Sequence, residues 1–261
     1  VSEQDLSRIK GSLKAEAVWR LESVSGKVSQ LSYGQVQFGD PNASLRALEQ
    51  LRKVSRSAVT HAFDKHIANQ PALWMSVIPK GQLQWQVAAV DYHPEPRQVV
   101  AGHQQGEVAL RKVEDGVARQ SIPASGGPLK PTVPTLWYGS LPNQIQVSGV
   151  ENQEIPAISI TITLPGGRRV ESASEAGLAS LTAMLVRQGS QRLNAEALSE
   201  ELQRLGSTIS FSAASYNTVI QVSSLAENLP RTLQLVEELL TSPGLRESDF
   251  SRVKNQLLQG L

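Results

Sequence analysis

The stretch AISITITLPGG, residues 157–167, decides the fold class. Ile158, Ile160, Ile162 and Leu164 alternate with Ser159, Thr161 and Thr163, the period of two that gives a strand one apolar and one polar face. Pro165-Gly166-Gly167 then turns the chain. Just upstream, QIQVSGV (144–150) alternates in the same way and reads as a companion strand. Downstream the period becomes helical. Ser174 precedes Leu178, Leu181, Leu185 and Val186; Asn194 precedes Leu198, Leu202 and Leu205, with Gly206 as the stop. STISFSA (207–213) and TVIQVSSL (218–225) return to alternation and predict a hairpin around SYN. A helix carrying Leu229, Leu233, Val236 and Leu240 follows, and SPGL (242–245) breaks the chain before a last helix. The order ββ-αα-ββ-αα predicts an α+β layer, an antiparallel sheet with helices packed on one face.

Upstream of this block the pattern is helical first. Ser2 caps a stripe of Leu6, Ile9, Leu13 and Ala17, and the stretch stays compatible with one long helical region as far as Gly39-Asp40-Pro41. Ser44 before Leu45, Leu48 and Leu51, and Ser55 before Val59, Ala62, Phe63, His66 and Ile67, predict two shorter helices. LWMSVIP (73–79) reads as a buried strand. From Pro94 to Pro134, prolines and glycines interrupt every long period; only VALRKV (108–113) looks like a strand, and SGGPLKPTVP (125–134) reads as a semi-extended linker.

The whole-chain numbers narrow the partners. Across 261 residues, 25 Lys and Arg against 24 Asp and Glu leave a formal charge of +1, far from the basic balance that phosphate binding requires. With no cysteine, disulfides, thiolate zinc sites, cysteine nucleophiles and iron–sulfur clusters are excluded. No apolar run approaches the roughly 18 residues of a membrane span, and VSEQDLSRIKGS at the start has no apolar signal-peptide core.

The two ends resemble each other. EQDLSRIKGSL (3–13) and ESDFSRVKNQL (247–257) agree in six of eleven positions at an offset of 244, and Leu6/Phe250 and Ile9/Val253 exchange like for like. Such a repeat implies that the chain opens inside one structural unit and closes at the matching place in the next.

From residue 141 onward, the phrases and their order resemble the repeating unit of the pitrilysin or insulinase-type zinc metallopeptidases, the inverted zincins. LPNQIQV (141–147) is similar to that family's opening L-x-N-G-hydrophobic phrase, with Gln144 where glycine is usual. Glu175-Ala176-Gly177-Leu178-Ala179 matches its Gly-Leu-Ala helix entry, and AENLPRTLQLVEELLTSPGLRESDFSRVKNQL (226–257) its stretch between metal helix and third ligand. ESVSGKVSQLSYGQVQFGDP (22–41) resembles the distal part of a preceding unit, and GPLKPTVPTLW (127–137) the linker of bacterial two-half members. The resemblance implies three parts: 1–93, the distal part of a first peptidase-like unit; 94–140, a Pro/Gly-rich linker region; and 141–261, the opening part of a second, catalytically degenerate unit.

The family's chemistry needs H-x-x-E-H on the helix that follows Gly-Leu-Ala. Histidines at i and i+4 share a helical face and chelate one Zn²⁺, while the glutamate activates the bound water. The matching positions here are Ser180-Leu181-Thr182-Ala183-Met184. Ser180 and Met184 are poor zinc ligands and Ala183 cannot move a proton. The third ligand, a carboxylate expected near the end of the chain, has no counterpart in Asn255-Gln256-Leu257-Leu258-Gln259-Gly260-Leu261. No catalytic, cofactor-binding or metal-binding residue is therefore assigned.

Other constellations are weaker. His61, His66, His93 and His103 include no pair four apart; His61 and His66 fall on different helical faces, and His93 and His103, near Glu95, could meet only if the connector folds back. Gly166-Gly167-Arg168-Arg169 reads either as an anion cradle or, more simply, as a tight turn with solvated charges. No G-x-S-x-G or S-x-x-K frames a nucleophile, and Trp19, Trp74, Trp85 and Trp137 are too dispersed for a base-stacking platform.

By resemblance, the intact enzyme is a zinc metalloendopeptidase shaped as a clam-shell. This chain, inactive alone, would contribute chamber wall, interdomain packing and strand-edge contacts with peptide; zinc would reside elsewhere in the intact protein. The alternative is a silent scaffold or partner subunit of a separately encoded active peptidase or larger complex. An enzyme with an unrelated site in the connector ranks last. Similarity to bacterial members implies a soluble, periplasmic or otherwise exported protein, and ends that cut through units imply that an isolated chain can pair with a second copy.

Overall fold

The computed structural model describes residues 1–73, 75–86, 121, 127 and 132–259. They contain helices α1 (Glu3–Arg20), α2 (Val24–Phe38), α3 (Ala43–Lys53) and α4 (Arg56–His66), strands β1 (Leu136–Ser140), β2 (Gln146–Val150) and β3 (Ala157–Pro165), helices α5 (Leu178–Val186) and α6 (Ala195–Leu205), strands β4 (Thr208–Ala213) and β5 (Asn217–Leu225), and helices α7 (Leu229–Thr241) and α8 (Glu247–Gln259). They group into two compact units, Val1–Ala68 with Glu151–Leu261, and Asn69–Val150.

In the larger unit, β3, β5 and β4 form an antiparallel sheet in that spatial order. Pairing of Ile160 with Val222 and Ile209, and of Ile162 with Ile220 and Phe211, puts all six side chains on one face. Against this face α5 packs Ala183, α6 packs Leu198 and Leu205, and α7 packs Leu235, Val236 and Leu239. Ile220 is 0% exposed and Leu235 and Leu239 are 1% exposed; each such side chain contributes about 1.5–3 kcal/mol relative to leaving it in water. The opposite face carries the rows Ser159–Ser223–Thr208, Thr161–Gln221–Ser210 and Thr163–Val219–Ser212, whose β3 and β4 members and Gln221 are exposed. The fold is thus α+β, with helices on one side of an antiparallel sheet.

Several elements depart from the sequence expectation. The long helical region is two helices: Ser23 takes an extended conformation (φ −100°, ψ 149°), its hydroxyl accepts the Gly26 amide, and α2 begins there. It ends at Gly39 in the left-handed region (φ 67°). Around the expected strand at 73–79, residues 73 and 75–79 are not in a strand; Leu73, Met75 and Val77 are 83–87% exposed, because no strand among the described residues offers them hydrogen-bond partners. Trp74, VALRKV and most of the SGGPLKPTVP linker lie outside the described residues.

β2 pairs with β1, not with β3, so the strands read at 144–150 and 157–164 belong to different sheets. β1 and β2 are connected by a three-residue loop in which the Gln144 amide donates to Leu141 O (2.8 Å) and the Leu141 amide to Ile145 O (2.9 Å). Gln144 lies at φ 67°, the bulge position that normally takes glycine. The Trp137 indole lies across its cross-strand neighbour Gly149, where a methyl would come within 2.5 Å of the ring.

α5 is not capped by Ser174. Ser172 caps a single 3-10 turn at Ala173–Glu175; α5 starts after Gly177, at φ 95°. Its first amides are satisfied by Glu171, whose carboxylate accepts from Gly177 N (2.9 Å) and Ala179 N (2.6 Å). In α7 the buried stripe is Thr232, Leu235, Val236 and Leu239, leaving Leu233 and Leu240 39% and 43% exposed. The stripe is rotated because Thr232 is drawn inward by a buried hydroxyl cluster. Ser207 Oγ lies 2.9 Å from Ser224 Oγ and 2.8 Å from Thr232 Oγ1, Ser224 and Thr232 are 3.1 Å apart, and Ser224 donates to Leu225 O.

Both ends are helical. α1 and α8 each carry an Asp–Arg pair one turn apart, Asp5–Arg8 at 3.7 Å and Asp249–Arg252 at 2.9 Å. Their apolar faces differ in environment: Val253 is 0% exposed, whereas the matching Ile9 is 47% exposed.

Candidate functional site

The place to look for chemistry is α5, which carries Ser180, Ala183 and Met184. Ala183 is buried, and Ser180 and Met184 are half-buried. The i, i+4 spacing of Ser180 and Met184 puts them on one face, but a hydroxyl and a thioether make a weak donor pair for Zn²⁺. α8 packs against α5, and it brings Val253, fully buried, and Leu257, whose Cδ2 lies 4.0 Å from a methyl built at Gly177. The helix pair therefore meets through apolar groups. The residues present do not fit a zinc ion, and no step through a metal is derived. Among the described residues, no cluster of three or more His, Asp or Glu side chains is placed to hold a metal ion.

Beside α5 lies a cavity of about 440 Å³ lined by Leu164, Val170, Leu178, Ala183, Val186 and Phe211, with Glu171 and Glu175 also on its wall. Both carboxylates are engaged by neighbouring donors. Glu171 is engaged by the α5 amides. Glu175 accepts from the Ser172 hydroxyl and amide, and those bonds hold its pKa below the usual carboxylate value. The cavity can hold an apolar group, and its polar lining is Glu171, Glu175, Thr182 and Thr218.

The remaining sequence candidates separate. His61 and His66 are both exposed on α4. His93 and His103 lie outside the described residues. At Gly166–Arg169 the backbone amides are committed: Gly166 N donates to Tyr216 O (3.1 Å), Arg168 N to Ala214 O (3.0 Å) and Arg169 N to Ser215 O (2.9 Å). Arg169 donates to the Tyr216 hydroxyl (2.5 Å) and stacks over its ring at 4.8 Å. The segment is a turn docked on residues 214–216, with three of its four amides engaged there. Trp19 is half-buried against Ala15, Val18 and Leu225; Trp85 and Trp137 are exposed.

One cluster invisible to motif reading is the charge network on the outer faces of α6 and α7. Glu201 accepts from Arg204 (2.8 Å) and Arg231 (3.1 Å), and Glu238 from Arg192 (2.8 Å) and Arg231 (3.5 Å). The Arg204 bond to Glu201 and the Arg192 bond to Glu238 are the main causes that hold both carboxyls below their ordinary range. The network fastens helices together, and Glu201 and Arg204 also line a cavity of about 250 Å³ beside Asp5 and Arg8.

The chain is similar in part to known proteins. The family model described as Insulinase (Peptidase family M16) matches residues 147–260. Subunit 1 of the mitochondrial cytochrome b-c1 complex of Bos taurus is 21% identical over 130 residues, 50% of this chain and 27% of that protein. The non-peptidase homolog YmxG of Helicobacter pylori is 26% identical over 121 residues, 46% of this chain and 28% of that protein. The match thus spans little more than a quarter of either relative. A crystal structure of a peptidase M16 inactive domain from Pseudomonas fluorescens aligns with a TM-score of 0.45 and 24% identity, covering 48% of this chain and 31% of that one.

Proposed function

We propose, from the premise that residues 147–260 belong to the insulinase family, peptidase family M16, that the chain is a non-catalytic segment of a zinc-dependent metalloendopeptidase of the two-half type. Its work is to form chamber wall and interdomain packing around an unfolded peptide. The observation that carries this reading is the α5–α8 pair. The helix on which the family holds its metal presents Ser180, Ala183 and Met184, and α8 meets it with Val253 and Leu257. The polar sheet face suits a wall wetted by water and brushed by peptide, while the outer strands β3 and β4 offer main-chain pairing by strand addition. No chemical step is assigned to residues of this chain, and zinc belongs elsewhere in the intact protein. As repeat units we keep the division into 1–93, 94–140 and 141–261, and we place the intact protein in an exported, soluble compartment.

The test is zinc stoichiometry and peptide cleavage of the purified chain. The expected result is no bound zinc and no chelator-sensitive cleavage; stoichiometric zinc that supports cleavage overturns the proposal. A second reading, a silent partner or scaffold subunit, is favoured by relatives whose names are a complex subunit and a non-peptidase homolog. An intact H-x-x-E-H in the same coding sequence supports the first reading; a separately encoded active partner supports the second.

A further inference from the structure

We infer that residues 1–68 and 151–261 form one rigid block, locked at the crossing of α1 with α6. The inference deepens the proposed function and rests on it, because a segment that serves as chamber wall has to keep its shape while peptide is bound. Both stretches sit in the same compact unit.

The crossing is closer than side chains normally allow. A methyl built at Gly11 on α1 would lie 2.1 Å from Arg204 O on α6. A methyl built at Gly206, the left-handed residue that ends α6 (φ 60°), would lie 2.5 Å from the Ala15 Cβ. Two backbones therefore touch where only glycine fits on each side. Behind this contact Ala15, Val18 and Leu225 are buried together, with Trp19, Ile155 and Ala157 packed on them. Polar contacts surround it: Arg8 donates to Gln203 (3.2 Å), Lys14 pairs with Glu227, and Lys27 pairs with Glu154. A seam combining backbone contact, a buried apolar cluster and peripheral ion pairs resists the shear and opening that a hinge requires, because close-packed interfaces are bistable and do not slide continuously.

The experiment uses the full chain with a protease recognition sequence inserted after Ala124. After cutting in native buffer, the two fragments are expected to co-elute at the position of the uncut chain. In the Gly11→Ala variant, cut in the same way, co-elution is expected to be lost while circular dichroism of the mixture keeps its helix and strand content. Lys14→Ala with Lys27→Ala serves as the gentler variant, with co-elution weaker than in the unmodified chain at low salt and no more sensitive to added salt, since the ion pairs that salt screens are gone. Separation of the unmodified cut fragments overturns the inference. So does co-elution of cut Gly11→Ala that matches the unmodified chain, since the seam is then not what holds the block. None of these readouts depends on peptidase activity. A failed block with an inactive chain therefore leaves the functional reading standing, and zinc-dependent cleavage with intact co-elution removes the functional reading alone.

Discussion

Thr232→Val is the sharpest test of how α7 is held to the sheet. The substitution keeps the side-chain shape and deletes one hydroxyl from the cluster with Ser207 and Ser224, all three residues being 0–6% exposed. Thr232 Oγ1 is 2.8 Å from Ser207 Oγ, 3.1 Å from Ser224 Oγ and 3.0 Å from Asn228 O. Its loss removes one net hydrogen bond, about 1 kcal/mol, and leaves neighbours short of a partner at a cost of about 1 kcal/mol more. The relief is partial, because Ser207 can still donate to Ser224 at 2.9 Å and Ser224 to Leu225 O at 2.9 Å. The expected destabilisation is therefore about 1–2 kcal/mol. Ser207→Ala should cost a similar amount, and the double variant should cost about 1 kcal/mol less than the sum, because the two deletions share a bond. Urea unfolding followed by far-UV circular dichroism measures this, with an unchanged slope as the control for altered unfolded-state compactness. Equal or greater stability of Thr232→Val refutes the claim that the hydroxyl rotates the helix inward, and strict additivity refutes the claim that the three groups act as one.

Three other outcomes follow from geometry already described. Gln144→Gly should stabilise the β1–β2 hairpin by about 0.5–1 kcal/mol by relieving a left-handed non-glycine residue, read as slower amide exchange at Leu141 and Gln144. Gly177→Ala should cost about 1–2 kcal/mol through its φ of 95° alone, since a methyl there meets nothing closer than Leu257 Cδ2 at 4.0 Å; a neutral melt contradicts the assigned conformation. Glu201 and Glu238 have lowered pKa values, so their stabilising contribution is full above the ordinary carboxylate range and is lost as pH falls through the lowered values. The melting temperature should decline on acidification through that window, and replacing both by Gln should flatten the decline.

Much of the architecture was legible because its signals are local. Period-two alternation at 157–164, the cap at Asn194 and the stop at Gly206 each require only neighbouring residues, and each has its counterpart in β3 and α6. What was not legible depended on distant partners. The pairing of β2 with β1 depends on a strand whose own sequence, LWYGS, carries little alternation. The inward turn of Thr232 depends on Ser207 and Ser224, and a polar residue in an apolar stripe gives no sign that two hydroxyls await it. The start of α5 was misplaced because Glu171, six residues before Gly177, supplies the cap usually supplied by an adjacent serine. For the site, the residue types at 180–184 argued against zinc directly, whereas the packing of Leu257 near Gly177 needed the fold.

The three hydroxyl-rich rows on the open side of the sheet set how that surface adheres. Side chains of serine and threonine stand at roughly 7 Å steps along β3 and β4, a spacing that keeps a film of hydrogen-bonded water over these outer strands. An extended polypeptide laid on it exchanges one set of hydrogen bonds for another with little net gain, so contact is broad and friction low. A surface of this kind favours no particular sequence and retains none. Turning Thr161 and Thr163 into valines would make it dewet, and the first symptom would be sticking: self-association at concentrations where the parent chain stays dispersed.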